Sequence, residues 1–296
     1  AEILSRPHPT NRTKDPPQQK HRHQHNIMGN CIKPATLLHE PVGFHSIPDK
    51  YNSIEEVQQA LREVGLESSD LILGIDFTKS NTWTGKTSFQ GKCLHDTSNP
   101  HIDNPYQRVI SIVGRTLEAF DDDKLIPAFG FGDAYTKDKS CFSFYPENRP
   151  CQGFEGVLER YNQITPGMTL AGPTNFAPVI RQAIEISKEE RAYQILVIIA
   201  DGQVTNRKET EQAIVEASHH PISIVVIGVG DGPWDLMEEF DDELPARRFD
   251  NFQFVPFDKV MSSVKPGKNV DATFACAALM EIPEQYKIIK RLGYLQ

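Results

Sequence analysis

From Tyr51 onward, apolar positions recur with the periods of regular secondary structure. Ile54, Val57, Leu61 and Val64 stand at helical spacing and predict a helix. The run Leu71-Ile72-Leu73-Gly74-Ile75 is apolar throughout and closes on Asp76, the pattern of a strand buried on both faces. Val109, Ile110, Ile112, Val113, Leu117 and Phe120 predict an amphipathic helix, and residues 125–131 a second buried strand. Phe154, Val157, Leu158 and Tyr161 mark another helix, as do Pro178, Ile180, Ala183, Ile184 and Ser187. Two strong apolar runs follow at 194–200 and 222–229, separated by a helical stretch over 208–218. A last strand is expected at 252–256, with closing helices at 274–280 and 285–292. Strands of this kind alternating with helices predict an α/β fold: a doubly wound, mostly parallel sheet, Rossmann-like, with helices on both faces. With no internal repeat and no linker, residues 48–296 read as one domain. Residues 1–47 are rich in Pro, His, Gln, Lys and Arg without periodicity, and are expected to form a disordered leader.

Composition narrows the function classes. The 296 residues carry a formal net charge of −9, which argues against nucleic acid as a partner, since phosphate binding needs a basic footprint. No apolar stretch is long enough to span a bilayer, and no apolar segment follows the N-terminus as in a secretory signal. The cysteines Cys31, Cys93, Cys141, Cys151 and Cys276 include no C-x-x-C pair, so a reduced intracellular chain is expected, cytoplasmic or nuclear. A Cys141–Cys151 bridge would need an oxidising compartment. Met28-Gly29-Asn30-Cys31 has the outline of a myristoylation start, but Lys33 stands where that motif takes Ser or Thr. Lys20-His21-Arg22-His23-Gln24-His25 reads as a solvated tail.

Candidate chemistry gathers where strands end. Asp76, Thr78 and Ser80 follow the first buried strand, and period-two alternation would set them on one side of an extended segment. Leu170-Ala171-Gly172-Pro173-Thr174-Asn175 precedes a helix that Thr174 or Asn175 would cap. Asp201-Gly202 ends the run 194–200. If the two strands are neighbours, Asp76 and Asp201 face each other at the carboxyl edge of the sheet, where open α/β sheets bind ligands. Two desolvated carboxylates repel, and a cation relieves that repulsion. Oxygen-only donors suit Mg²⁺ or Mn²⁺, and Ca²⁺ after them, rather than zinc. Trp83 stands as either a partner anchor or a packed side chain. Asp133 reads as a solvated turn residue, the acidic run 238–243 as a solvated face, and His219-His220 as a helix terminus. The enzymatic alternative is a metal-dependent phosphohydrolase built on Asp76. That chemistry wants a second Asp two residues on, where Thr78 stands.

The order Asp-x-Thr-x-Ser, a distant Thr, then Asp-Gly resembles the metal-ion-dependent adhesion site of von Willebrand factor A domains, with Thr78 in place of the usual first Ser. Longer stretches resemble the copine subgroup: residues 74–81, Asn104-Pro105-Tyr106, residues 129–133, residues 171–178, residues 229–234, residues 249–254 and residues 278–286. The likeness runs from about Tyr51 to Leu292 and is nearest to the copine-type domain of RING ubiquitin ligases. It implies a metal shell of Asp76, Thr78, Ser80, Thr174 and Asp201. One open position would accept an acidic side chain from a partner protein, which is binding rather than catalysis. Trp83 and Asn175 are expected at the partner surface, and a helix starting near Asn175 would favour the incoming carboxylate. The family implies ubiquitin-pathway substrates as partners, and its acylated N-termini imply peripheral attachment at the plasma membrane. Two features of the family are not encoded in these residues: the paired calcium-binding C2 domains of copines proper and the zinc-binding RING module of the ligases. Ubiquitin transfer is therefore expected to need residues outside this chain, which reads as a fragment of a ligase or a RING-less relative.

Overall fold

Ser53 opens the first helix, α1 (Ile54–Val64), with its hydroxyl accepting the Glu56 N–H, and Gly65 closes it in the left-handed region at φ 75°. The computed structural model describes residues 46–295 apart from 49, 67–68, 118–122, 203, 245 and 265–266. The leader to residue 45, with Cys31 and the two motifs noted in it, lies outside the described residues.

After α1 come β1 (Asp70–Asp76), a 3₁₀ turn (Lys79–Thr82) and α2 (Pro105–Leu117). The short strands β2 (Leu125–Ile126), β3 (Ala128–Phe131), β4 (Cys141–Ser143) and β5 (Cys151–Gln152) follow, then α3 (Gly153–Ile164) and α4 (Ala177–Glu190). Next are β6 (Gln194–Ala200), α5 (Arg207–Ala217), β7 (Ile222–Gly228), α6 (Asp235–Asp242) and β8 (Phe252–Pro256). The described chain closes with α7 (Phe257–Ser263), α8 (Val270–Leu279) and α9 (Ile282–Arg291). No described helix is long and apolar enough to cross a membrane.

The main sheet has the order β4-β3-β1-β6-β7-β8, parallel except for the edge strand β4. Winding starts at β1 and runs outward through β3 to β4, then restarts on the other side at β6. The order therefore reverses between β1 and β6, and the carboxyl ends of two such strands are where open α/β sheets bind ligands. Alternate residues of β1 feed two cores. Leu71, Leu73 and Ile75 pack with Val109 and Val113 of α2 and Val157 of α3. Ile72 joins Val179 and Ile180 of α4 and Ile214 of α5 on the other face. Both faces of the sheet are thus covered, as the unbroken apolar strands require.

The run 125–131 departs from the expected single strand. Pro127 has no N–H to continue a ladder, and the chain breaks there. β2 pairs antiparallel with β5 in a two-stranded sheet of their own, while β3 pairs with β1. The acidic run 238–243 is not merely a solvated face. α6 buries Leu236, Met237 and Phe240, and Asp241 accepts the Phe254 N–H at 3.0 Å.

Candidate metal centre

β1 delivers Asp76 to the carboxyl edge of the sheet between its two parallel neighbours, with Asp76 in register with Phe131 of β3 and Ile75 with Ile199 of β6. One Asp76 oxygen, Oδ1, accepts the Thr78 N–H at 2.8 Å, a local turn that Asp side chains favour. Thr78 bridges to Ala171, which draws the loop before α4 against the end of β1. The chain then tightens into the 3₁₀ turn, so Ser80 reaches the site by turning and not by the strand alternation expected for it. Its hydroxyl donates to Asp201 Oδ1 at 2.9 Å and lies 2.8 Å from Thr78 Oγ1. Thr174 Oγ1 donates to Thr78 Oγ1 at 3.4 Å and caps no helix. Asp76, Thr78, Ser80, Thr174 and Asp201 are therefore linked around one spot, with both carboxylates buried.

The electrostatics of that spot are unusual. Asp76 Oδ2 is buried and has no hydrogen-bond partner. Burial, and then the charge of Asp201, push the Asp76 carboxyl well above the usual carboxylate range. Burial also raises Asp201, against the pull of hydrogen bonds from Thr84 and Ser80. No basic side chain is among the main influences on either group. A buried charge without a partner is costly, and here two carboxyls are buried side by side. The donors on hand are carboxylate and hydroxyl oxygens, the set that a small hard divalent cation takes. Among the described residues no three His, Cys, Asp or Glu side chains converge on a metal position, so a ligand set of the zinc-finger kind is absent there. The residues fit a cation held by Asp76 and the Thr78, Ser80 and Thr174 hydroxyls, with Asp201 orienting Ser80.

Several supporting residues escaped the sequence reading. Thr84 Oγ1 donates to Asp201 Oδ2 at 2.5 Å. The Asp76 carbonyl accepts from His95 Nε2 at 2.8 Å and from Asn81 Nδ2 at 3.3 Å. Asn81 Oδ1 in turn accepts the Tyr106 hydroxyl at 2.7 Å. Burial holds the His95 pKa down at about 3, so its ring is neutral. Because a carbonyl can only accept, Nε2 carries the hydrogen and Nδ1 accepts from Tyr161 Oη at 2.7 Å. His95 stacks between Phe77 and Tyr106, with ring centroids 4.7 and 4.0 Å away. Asn81 and Tyr106 lay within the motifs singled out above. His95 carried no signal beyond being a lone histidine.

Gly132 is required by geometry. Its φ is +83°, and a Cβ there would stand 2.3 Å from Thr78 Cγ2. The methyl that distinguishes Thr from Ser at position 78 thus lies against the β3 turn.

The other expected residues divide. Trp83 is 59% exposed beside the site, its N–H on the Ser80 carbonyl at 2.8 Å. Asn175 is buried: Oδ1 accepts the Ala177 N–H at the start of α4, and Nδ2 donates to the Asp138 carbonyl and to Glu209. Its side chain builds the loop and offers no surface to a partner, which corrects that expectation. Asp133 is not a solvated turn residue either. It is buried and accepts the Thr136 N–H at 2.9 Å. Cys141 and Cys151 are free thiols, each pushed up to about 11 by burial. His219 and His220 follow the C-terminal end of α5, at the opposite edge from the site.

Comparison with known proteins places the chain. The family model described as Copine matches residues 93–296. The chain is 54% identical over 265 residues to the E3 ubiquitin-protein ligase RGLG1 of Arabidopsis thaliana, covering 85% of this chain and 54% of that protein. It is 52% identical over 273 residues to Copine family protein 2 of Caenorhabditis elegans, covering 91% of this chain and 3% of that protein. Among solved structures it is similar to a von Willebrand factor type A structure from Catenulispora acidiphila, at a TM-score of 0.41 and 9% identity, covering 74% of this chain and 43% of that one. The chain spans about half the length of the first of these relatives, 54%. On its doubly wound sheet and its match over most of the folded residues, the chain belongs to the copine family.

Proposed function

We propose that the domain is a metal-dependent protein-binding module that holds Mg²⁺ or Mn²⁺ at Asp76, Thr78, Ser80 and Thr174, with Asp201 in support. The observation that carries the reading is the orphaned Asp76 Oδ2, buried beside a second carboxylate and three hydroxyls. When bound, the cation supplies a positive centre for a carboxylate from a partner. The chain's own residues do the rest. Thr78 N–H orients Asp76, Ser80 and Thr84 orient Asp201, and His95 and Asn81 fix the Asp76 backbone. On this reading the module recruits substrates for ubiquitination in an intracellular setting, cytoplasmic or nuclear, and the likeness to E3 ubiquitin-protein ligases supports it. Peripheral membrane attachment belongs to the same reading and would rest on residues of the leader.

The phosphohydrolase reading lacks its second carboxylate. Thr78 stands in that place, with its hydroxyl in the Ser80–Thr174 chain. Titration calorimetry with MgCl₂ and MnCl₂ tests the proposal. One cation per chain is expected for the native sequence, and none for Asp76→Ala. Unchanged heats in that variant, or phosphate release from a generic ester that Asp76→Asn abolishes, would overturn it.

A further inference from the structure

The rim of the metal centre differs in charge from the molecule that carries it. The chain bears a net charge of −9, yet residues 77–95, which run across the site from the end of β1, contain Lys79, Lys86 and Lys92 and no Asp or Glu. The loop after β3 adds Lys137 and Lys139. Lys79, Lys86, Lys137 and Lys139 are exposed, and none of the four makes an ion pair among the described residues. The acids of the same loops are largely committed. Asp133 is buried in its turn, and Asp231 accepts the Thr87 and Ser88 N–H groups at 2.8 Å. Asp138 remains, with Asp96 and Asp103 farther along the first loop. Two large aromatic side chains stand out among these lysines: Trp83 at 59% exposure and Tyr135 at 92%.

These loops are joined at one edge. Lys79 N–H donates to the Ala171 carbonyl, Asp231 N–H to the Thr84 carbonyl, and Asn175 Nδ2 to the Asp138 carbonyl. They follow the carboxyl ends of β1, β3 and β7, parallel strands of one sheet in which β6 stands between β1 and β7. Lysines that no carboxylate of the chain neutralises raise the local potential and steer acidic partners toward it. Exposed aromatic side chains inside such a ring are the usual anchors of a protein interface.

Resting on the metal-binding reading above, we propose that Lys79, Lys86, Lys137 and Lys139, with Trp83 and Tyr135, form a collar that selects a partner segment. That segment carries one carboxylate for the cation, further Asp or Glu residues for the lysines, and an apolar side chain for the two aromatic residues. A membrane surface fits less well. The position between the lysines is a cation site that takes a single carboxylate, and the aromatic residues alternate with the charges around it.

The test uses fluorescein-labelled peptides and the full chain in MgCl₂, read by fluorescence anisotropy. One peptide is Phe-Asp-Glu-Asp-Glu, and the second is Phe-Asp-Gln-Asn-Gln, which keeps a single acid. The collar predicts about tenfold tighter binding of the first at low salt, a gap that closes as salt rises. Changing all four lysines to Gln abolishes the gap, while Mn²⁺ binding, measured separately, is retained and tightens as the positive potential falls. Trp83→Ala and Tyr135→Ala weaken both peptides. Equal binding of the two peptides, or a gap that survives the lysine changes, would overturn the collar. So would capture by phosphatidylserine vesicles through the same lysines without peptide binding. Salt-sensitive preference for the acidic peptide that persists in EDTA would leave the collar standing and remove the cation from the account.

Discussion

At the scale of single residues, the site is defined by a deficit. Asp76 and Asp201 are buried together, both raised by burial, and Asp76 further by its neighbour's charge. The sign of the consequence is fixed. Carboxyls that bind protons more tightly in the folded chain stabilise it below the unfolded carboxylate pKa of about 4 and lose that contribution as pH rises through their folded values. Asp241, pushed up to about 8 by burial, acts in the same direction. In EDTA the melting temperature should therefore fall between pH 5 and 8, and saturating MgCl₂ should oppose the fall. Asp76→Asn keeps an acceptor for the Thr78 N–H and removes the charge. It should raise the melting temperature in EDTA at pH 8 and lose the shift that Mg²⁺ gives the native chain, with about 2–4 °C expected per kcal/mol. Differential scanning calorimetry in the two conditions checks both, and a destabilised, still Mg²⁺-responsive Asp76→Asn would refute them. Tyr106→Phe acts from behind the site. It strands Asn81 Oδ1, at a cost of about 1–3 kcal/mol, and loosens the grip on the Asp76 carbonyl. Denaturant midpoints and Mn²⁺ affinity should fall together in that variant.

At the scale of elements, the long apolar strands were legible and the short ones were not. β1, β6, β7 and β8 are runs of five to seven residues that pack on helices from both sides, so apolar residues fill most of their positions. β4 and β5 have three and two residues, too few for any period to show. The Pro127 break was visible as a residue but outweighed by the apolar run around it. Asp76, Thr78, Ser80, Thr174 and Asp201 were legible because motif order survives in one dimension. His95 and Thr84 were not, since their partners come from loops distant in sequence or from backbone groups. Gly132→Ala tests how β3 supports the site. A positive-φ alanine costs about 1–3 kcal/mol, and the added methyl would press on Thr78. Combined with Thr78→Ser, which removes the opposing methyl, the loss of stability should be less than the sum of the two single changes. Strict additivity in this double-mutant cycle would contradict the contact.

At the scale of the whole molecule, the sheet order explains why these oxygens meet. β1 and β6 are neighbours across the reversal in winding, the place in an open α/β sheet where ligands bind. The same topology brings the lysine-bearing loops to that edge of an acidic chain. The most direct test is an anomalous difference map from crystals of the chain grown in MnCl₂. A single manganese peak lying against Asp76, Ser80, Thr78 and Thr174, and absent in Asp76→Asn crystals, is the predicted result. A map with no peak there at saturating Mn²⁺, or with the peak unchanged in the variant, would contradict the account.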